Sequence, residues 1–229
     1  MALSPGRAET RIVIVEDHQL FAEAIDLALS VEGYDVRRVE VPAVPGSAGV
    51  FVANVIKQRP RVVLLDLDLG RFGDGVRLIE PMARSGANVV VVTGSTDRAR
   101  WGEAVRAGAR KVQAKSQPLR DILATVRRIT AGLPVMDREE REELLGEWNR
   151  HRFEFQGLRD RLDLLTAREG EVLGHLMKGR AVREIAGISV VSEATVRTQV
   201  KSILAKLEVS SQLAAVGIAH AVGWQSPTS

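Results

Sequence analysis

Arg61-Val-Val-Leu-Leu-Asp-Leu-Asp-Leu-Gly-Arg-Phe-Gly-Asp-Gly75 is the stretch whose reading decides the fold. Val62 to Leu65 is an unbroken apolar run, as in a strand buried on both faces of a parallel sheet. It stops on a carboxylate, Asp66. Gly70, Gly73 and Gly75 then punctuate a loop before helical spacing resumes. In an open α/β sheet, chemistry collects beyond the carboxyl ends of the strands. Asp66 therefore stands where a functional acid would stand. An Asp that only caps a turn would look the same, so the flanking segments have to decide.

Upstream, Ile12 to Val15 is a short β-branched run that ends on Glu16-Asp17. Leu20 to Ser30 follows with apolar residues at helical spacing (Leu20, Phe21, Ala24, Ile25, Leu27, Ala28), stopped by Gly33. Asp35 to Val41 predicts a second strand. Pro42, Pro45, Gly46 and Gly49 mark a loop, and Val50 to Gln58 a short helix. Downstream, Val76 to Arg84 predicts a helix that Pro81 kinks or shortens. Asn88 to Val92 is a strand running into Thr93, and Asp97 caps a helix to Ala107. Gly108 to Ala114 is a weaker strand running into Lys115, and Pro118 opens a helix from Leu119 to Ala131.

Five strands alternating with five helices predict an α/β domain, a doubly wound parallel sheet with helices on both faces. In the flavodoxin-like order 2-1-3-4-5, the ends of strands one, three, four and five share one pocket. Glu16, Asp17, Asp66, Thr93 and Lys115 would then meet. Acids crowded together repel unless a hard cation sits among them, and Mg²⁺ favours a few carboxylates with waters and phosphate oxygens. A carboxylate can also attack phosphorus to form an acyl phosphate. The hydroxyl of Thr93 and the ammonium of Lys115 are donors suited to the added charge.

Residues 11 to about 131 resemble the receiver domain of a two-component response regulator. The segments that carry the resemblance are Ile-Val-Ile-Val-Glu-Asp-His (12–18), Val-Val-Leu-Leu-Asp-Leu-Asp-Leu-Gly (62–70), Val-Val-Val-Val-Thr-Gly (89–94) and Gly-Ala-Arg-Lys-Val-Gln-Ala-Lys (108–115). The resemblance implies that Asp66 accepts a phosphoryl group from a sensor histidine kinase. It also implies that Glu16, Asp17 and Asp66 hold Mg²⁺, that Thr93 is the switch hydroxyl and that Lys115 pairs with the phosphate. Two positions depart from the family pattern: Gly70 replaces the usual Pro, and Val112 replaces an aromatic switch residue.

From Leu133 to Asp163 the composition becomes densely charged, with Asp137-Arg-Glu-Glu-Arg-Glu-Glu143. Leu144, Trp148, Arg152, Phe155, Leu158, Leu162 and Leu165 recur at threes and fours. This predicts a helical linker over 133–163, either packed on one of its own domains or forming a dimer seam. Gly146 and Gly157 each weaken it by about 1 kcal/mol relative to Ala.

Residues 164–223 predict an all-α unit of four helices. Thr166 and Glu169 form a capping box for the first, and Gly179 ends it. Arg183 to Ile188 is a short second helix, and Ser192 caps a third from Glu193 to Leu207. There Val196, Val200, Ile203, Leu204 and Leu207 make one apolar stripe, while Arg197, Thr198 and Lys201 share another face. A helix, a tight turn and a capped helix with such a face form a helix-turn-helix pattern, whose second helix enters the major groove of DNA. A solvated basic face would read the same, but Leu165 to Val216 also resembles the NarL/LuxR-type helix-turn-helix. The segments are Leu-Thr-Ala-Arg-Glu-Gly-Glu-Val-Leu, Glu-Ile-Ala, Val-Ser-Glu-Ala-Thr-Val-Arg-Thr-Gln-Val and Ile-Leu-Ala-Lys-Leu-Glu-Val. It implies that Arg197, Thr198 and Lys201 face base edges, that Thr195, Lys178 and Lys206 meet phosphates, and that Gln212 to Val222 dimerises on DNA. Ser189 replaces a leucine in the turn, so Ile188 or Val190 is expected to fill that part of the core. Gln199 replaces a common histidine.

Composition sets the outer bounds. There are 229 residues and no cysteines, so disulfides and thiolate metal sites are absent. No apolar run reaches the roughly 18 residues of a membrane span, and the first eleven residues lack a signal-peptide core and predict a disordered tail. The net charge is +3, and 164–209 holds seven Lys/Arg against five Glu, so DNA binding must rest on positioned charge. The expectation is a cytoplasmic, homodimeric, phosphorylation-controlled transcription regulator, not an enzyme and not bound to a membrane. Val112 motivates an alternative, a phosphorylation-independent or ligand-controlled regulator whose receiver only dimerises. A phosphotransfer or phosphatase enzyme with a vestigial DNA reader is a third reading.

Overall fold

The computed structural model describes residues 6–42 and 47–226. The chain divides into two compact units, Met1–Asn149 and Arg150–Ser229. The stretch 133–163, expected as a linker, holds one continuous helix, α6 (Arg138–Asp163), and the division falls within it. Pro45 and Gly46 of the predicted loop, and the start of the predicted tail, lie outside the described residues.

The first unit is a five-stranded parallel sheet in the order β2-β1-β3-β4-β5, as expected. Its strands are β1 (Arg11–Val15), β2 (Asp35–Val39), β3 (Val62–Leu65), β4 (Asn88–Thr93) and β5 (Lys111–Ala114). Its helices are α1 (Gln19–Val31), α2 (Ala48–Lys57), α3 (Val76–Arg84), α4 (Arg98–Ala107) and α5 (Leu119–Thr130). Strand residues alternate between two cores. Val13, Val15, Val63, Leu65, Val89 and Val91 face the layer with Phe51, Ile79, Met82 and Val105. Ile12, Ile14, Val62, Leu64, Val90 and Val92 face Ile25, Leu29, Ile122 and Val126. Burial on both faces is why β1, β3 and β4 read as continuous apolar runs. Edge strand β2 instead exposes Arg37 and Arg38, which discourages pairing with another strand.

Within α1 the buried residues are Ala22, Ile25 and Leu29, whereas Leu20 and Leu27 are 83% and 68% exposed. Periodicity fixes that an apolar stripe exists, but a helix this rich in apolar residues offers two stripes. The predicted tail is also partly structured. Arg7–Glu9 form a 3-10 turn, Arg7 donates to Glu32 O, and its guanidinium lies 5.7 Å from the Tyr34 ring centroid.

The second unit holds α7 (Ala167–Met177), α8 (Val182–Ser189), α9 (Glu193–Leu207) and α10 (Gln212–Ala221). Its core is Leu162, Leu173, Leu176, Ile185, Val196, Val200, Ile203, Leu207, Ala215 and Ala219. The capping box at Thr166 forms with both bonds, and Ser192 Oγ accepts from Thr195 N at 3.1 Å. Among the described residues no single helix is long and apolar enough to cross a membrane.

Candidate functional site

Side chains from the ends of β1, β3 and β5 meet, and the end of β4 adjoins them where Lys115 N donates to Thr93 O at 2.8 Å. Asp66 is 2% exposed and Thr93 is fully buried. Lys115 Nζ donates to Asp66 Oδ2 at 2.7 Å and to Glu16 Oε1 at 2.7 Å, bridging groups 49 and 99 residues away in sequence. The other Asp66 oxygen, Oδ1, accepts from Asp68 N at 3.2 Å. Thr93 Oγ1 accepts from Ser95 N at 3.1 Å. One ligand atom from each of Glu16, Asp17, His18 and Asp66 lies within 4.8 Å of the others. Three carboxylates beside one ammonium suit a hard divalent cation.

Lys115 shows how the pocket is balanced. Burial favours the neutral amine, but hydrogen bonds and charge from Asp66 and Glu16 outweigh it and hold its pKa above the ordinary lysine value. The ammonium also lies 5.1 Å from the Phe21 ring centroid, a cation–π arrangement.

Gly70 and Gly75 explain why the loop after β3 needs glycine. Gly70 has φ +52°, and a Cβ there would lie 2.9 Å from Asp17 Oδ2. A Cβ on Gly75 would lie 2.3 Å from the Asp66 carbonyl oxygen. Proline cannot reach a positive φ, so the Pro that the family uses at position 70 is incompatible with this loop.

Two participants were not singled out from sequence. His18 joins the acid cluster, with Nδ1 at 3.0 Å from Glu16 and 2.9 Å from Asp17. It directly follows the acid pair, so adjacency could have flagged it. Arg100 on α4 donates to Asp68, Asp74 and the Leu67 carbonyl in the loop after Asp66. Nothing local in sequence ties position 100 to 68, so only the fold reveals it.

In the second unit, Thr195, Arg197, Thr198 and Lys201 are exposed on α9, and Lys178 is exposed just after α7. Arg197 makes a long, exposed ion pair with Glu193, 3.4 Å, which it can give up at little cost. Thr198 Oγ1 donates to Ala194 O at 3.1 Å. Lys206, expected to meet a phosphate, is engaged within its own unit. Its ammonium is held by Leu164 O at 3.1 Å and Glu169 Oε2 at 2.7 Å. Glu169, 7% exposed, also accepts from Ser202 Oγ and Thr166 N. Burial opposes its charge, yet Lys206, Ser202 and Thr166 pull its pKa down to about 2. Lys206 and Glu169 thus pin α9 against the start of α7. The expectation for the turn also fails: Ile188 and Val190 are 52% and 89% exposed, and Val191 packs on the core instead. Val190 ends α8 in the left-handed region (φ 54°, ψ 46°), which turns its side chain outward.

Comparison with known proteins supplies the family. The family model described as "Response regulator receiver domain" matches residues 12–127, just over half of the chain. The model for "Bacterial regulatory proteins, luxR family" matches 163–219. The chain belongs to the response regulators. This regulator is 26% identical over 215 residues to the transcriptional regulatory protein DesR of Bacillus subtilis, covering 93% of the chain and 98% of DesR. It is 27% identical over 213 residues to the nitrate/nitrite response regulator NarP of Escherichia coli, covering 92% and 94%. A solved structure of the RcsB response regulator of Salmonella typhimurium aligns with a TM-score of 0.51 at 21% identity, over 93% of the chain and all of RcsB, and supports the fold. The response regulator thus couples a receiver to a LuxR-type DNA-binding domain, the arrangement of a transcription regulator.

Proposed function

We propose that this regulator is switched by transfer of a phosphoryl group onto Asp66 from a sensor histidine kinase. The carrying observation is the convergence of the buried Asp66 carboxylate and of Glu16 on the Lys115 ammonium, from 49 and 99 residues away. In the transfer, an Asp66 oxygen attacks phosphorus while the bond from phosphorus to the donor imidazole breaks, and the leaving nitrogen takes up a proton. Lys115 neutralises part of the roughly −1.5 to −2 charge that the phosphoryl group brings. Thr93 offers its hydroxyl to the new oxygens. Mg²⁺ held by Glu16, Asp17 and Asp66 would supply further neutralisation of the transferring group. The output is a cytoplasmic homodimer that binds DNA through α9. Arg197, Thr198 and Lys201 meet base edges, and Thr195 and Lys178 meet phosphates. A receiver over 11–132 and a reader over 164–223 are the working domain limits.

Acetyl phosphate labelling with Mg²⁺ tests the switch: wild type takes label and Asp66→Asn does not. An unlabelled wild type would favour the dimerisation-only receiver that buried Val112 motivates. DNA binding at stated salt tests the reader. Arg197→Ala and Lys201→Ala should weaken binding to a specific site by about 1–3 kcal/mol each. Unchanged binding in both would move the assignment toward a phosphotransfer enzyme.

A further inference from the structure

The loop after Asp66 is knitted into one stiff piece. Leu69 N donates to Gly73 O at 3.2 Å, Gly75 N donates to Leu67 O at 2.8 Å, and Asp68 and Asp74 pair as an isolated antiparallel bridge. The absent Cβ of Gly75 lets the returning strand press on the Asp66 carbonyl. A piece closed in this way moves as a unit. Its near end is the Asp68 N–H that rests on Asp66 Oδ1.

Arg100 fastens that piece to α4. Nη1 donates to Asp68 Oδ1 at 2.7 Å, and Nη2 donates to Asp74 Oδ1 and to the Leu67 carbonyl, each at 3.0 Å. Two of the three acceptors are carboxylates, so the bonds are charge-assisted and roughly twice as strong as neutral ones. The Arg100 side chain is 23% exposed, and those of Asp68 and Asp74 are 55% and 53% exposed, so the hold comes from three bonds made together rather than from any one pair. Its planar fork fixes direction as well as distance.

The opposite side of α4 is held equally closely. A Cβ on Gly102 would lie 2.0 Å from Leu144 O and 2.8 Å from Trp148 Cβ in the first part of α6. Arg106 sits 4.6 Å from the Trp148 ring centroid. The helix that Arg100 ties to the acceptor loop is therefore the helix on which that part of α6 rests.

We propose that Arg100 is the positioning residue that carries occupancy of Asp66 to α4. This rests on Asp66 being the acceptor. Lys115 holds Oδ2, which leaves Oδ1 to attack, and a bond from Oδ1 to phosphorus displaces the Asp68 N–H. The loop shifts as one body, and the Arg100 fork obliges α4 to follow. The competing route is neutral: Thr93 Oγ1 to Ser95 N, then Ser95 O to Trp101 Nε1 at 2.9 Å.

Trp101 on α4 reports on both routes, which makes the test decisive. The full chain carries Trp148→Phe and Trp224→Phe, so Trp101 is the fluorophore. Beryllofluoride with Mg²⁺ serves as the phosphoryl mimic, and ¹⁹F NMR measures its binding separately. The background chain should bind the mimic and change its Trp101 emission. Arg100→Met should bind the mimic at raised concentration and lose the emission change, and Arg100→Lys, which keeps charge but not the fork, should recover part of it. Asp74→Asn, which leaves Arg100 and Asp66 intact, should reduce the change and guards against a misfolded Arg100→Met. A full emission change in Arg100→Met would overturn the proposal in favour of the Thr93 route. So would loss of mimic binding at every concentration, because the link acts after binding. A background chain that fails to bind the mimic would instead sink the acceptor assignment, and this proposal with it.

Discussion

Replacing Gly102 by Ala sets two physical effects against each other, and the structure says which wins. Gly102 lies inside α4, where helix propensity alone favours Ala by about 1 kcal/mol. The added Cβ, however, would sit 2.0 Å from the backbone oxygen of Leu144, where ordinary contact begins near 3.4 Å. The difference, 3.4 − 2.0, asks α6 to withdraw by 1.4 Å at that point. A backbone carbonyl inside a helix cannot rotate away as a flexible side chain would. Withdrawal uncovers Leu144, now 1% exposed, and full burial of a leucine contributes about 1.5–3 kcal/mol. It also opens the Arg106–Trp148 stack, worth about 0.5–1 kcal/mol. The ion pairs Arg98–Glu143 and Lys111–Glu140 add little, being partly solvated. Part of the contact survives a small shift, so Gly102→Ala should destabilise the first unit by about 2 kcal/mol net. Urea unfolding of the full chain, followed through Trp148 in a Trp101→Phe, Trp224→Phe background, measures it. Gly146→Ala, in the same unit on α6, is the control. A Cβ there meets nothing within 4 Å, so it should stabilise by about 1 kcal/mol. If Gly102→Ala stabilised like the control, the close packing of α6 on α4 would be refuted.

Three further outcomes follow from single sites. The depressed pKa of Glu169 contributes stability that is complete above its ordinary value of 4.5 and is lost as pH falls toward about 2. Acid unfolding of the second unit, read by Trp224 fluorescence, should steepen in that window and flatten in Glu169→Gln; an unchanged profile would contradict the Lys206–Glu169 pin. Gly70→Pro forces a negative φ where the loop needs +52°, and should cost about 2 kcal/mol or more in thermal denaturation; wild-type stability would show that the loop adopts another path. Val190→Asn removes a β-branched side chain from the left-handed region while giving up no buried surface. It should raise stability by about 0.5–1 kcal/mol, and a lower melting temperature would argue that the exposed valine makes a contact of its own.

The sequence by itself determined the sheet, its strand ends and the four-helix reader. Runs such as Val62–Leu65 state two-sided burial directly, and Thr166 with Glu169 or Ser192 with Thr195 write helix starts in local hydrogen-bond chemistry. The strand order needed the spatial rule for alternating units together with the family resemblance. What the sequence left open depends on direction rather than spacing. Which of two stripes α1 buries, that Val191 and not Ile188 or Val190 enters the core, and that Lys206 turns to Glu169 were all decided by packing. Periodicity cannot choose among apolar residues that are each plausible inside. Arg100 is the clearest case. An arginine in a charged helix is unremarkable in one dimension, and it becomes the tie to Asp68 and Asp74 only when parallel β3 and β4 bring the start of α4 beside the loop after Asp66. Local chemistry is encoded residue by residue, but the meeting of distant charges exists only once the chain has folded.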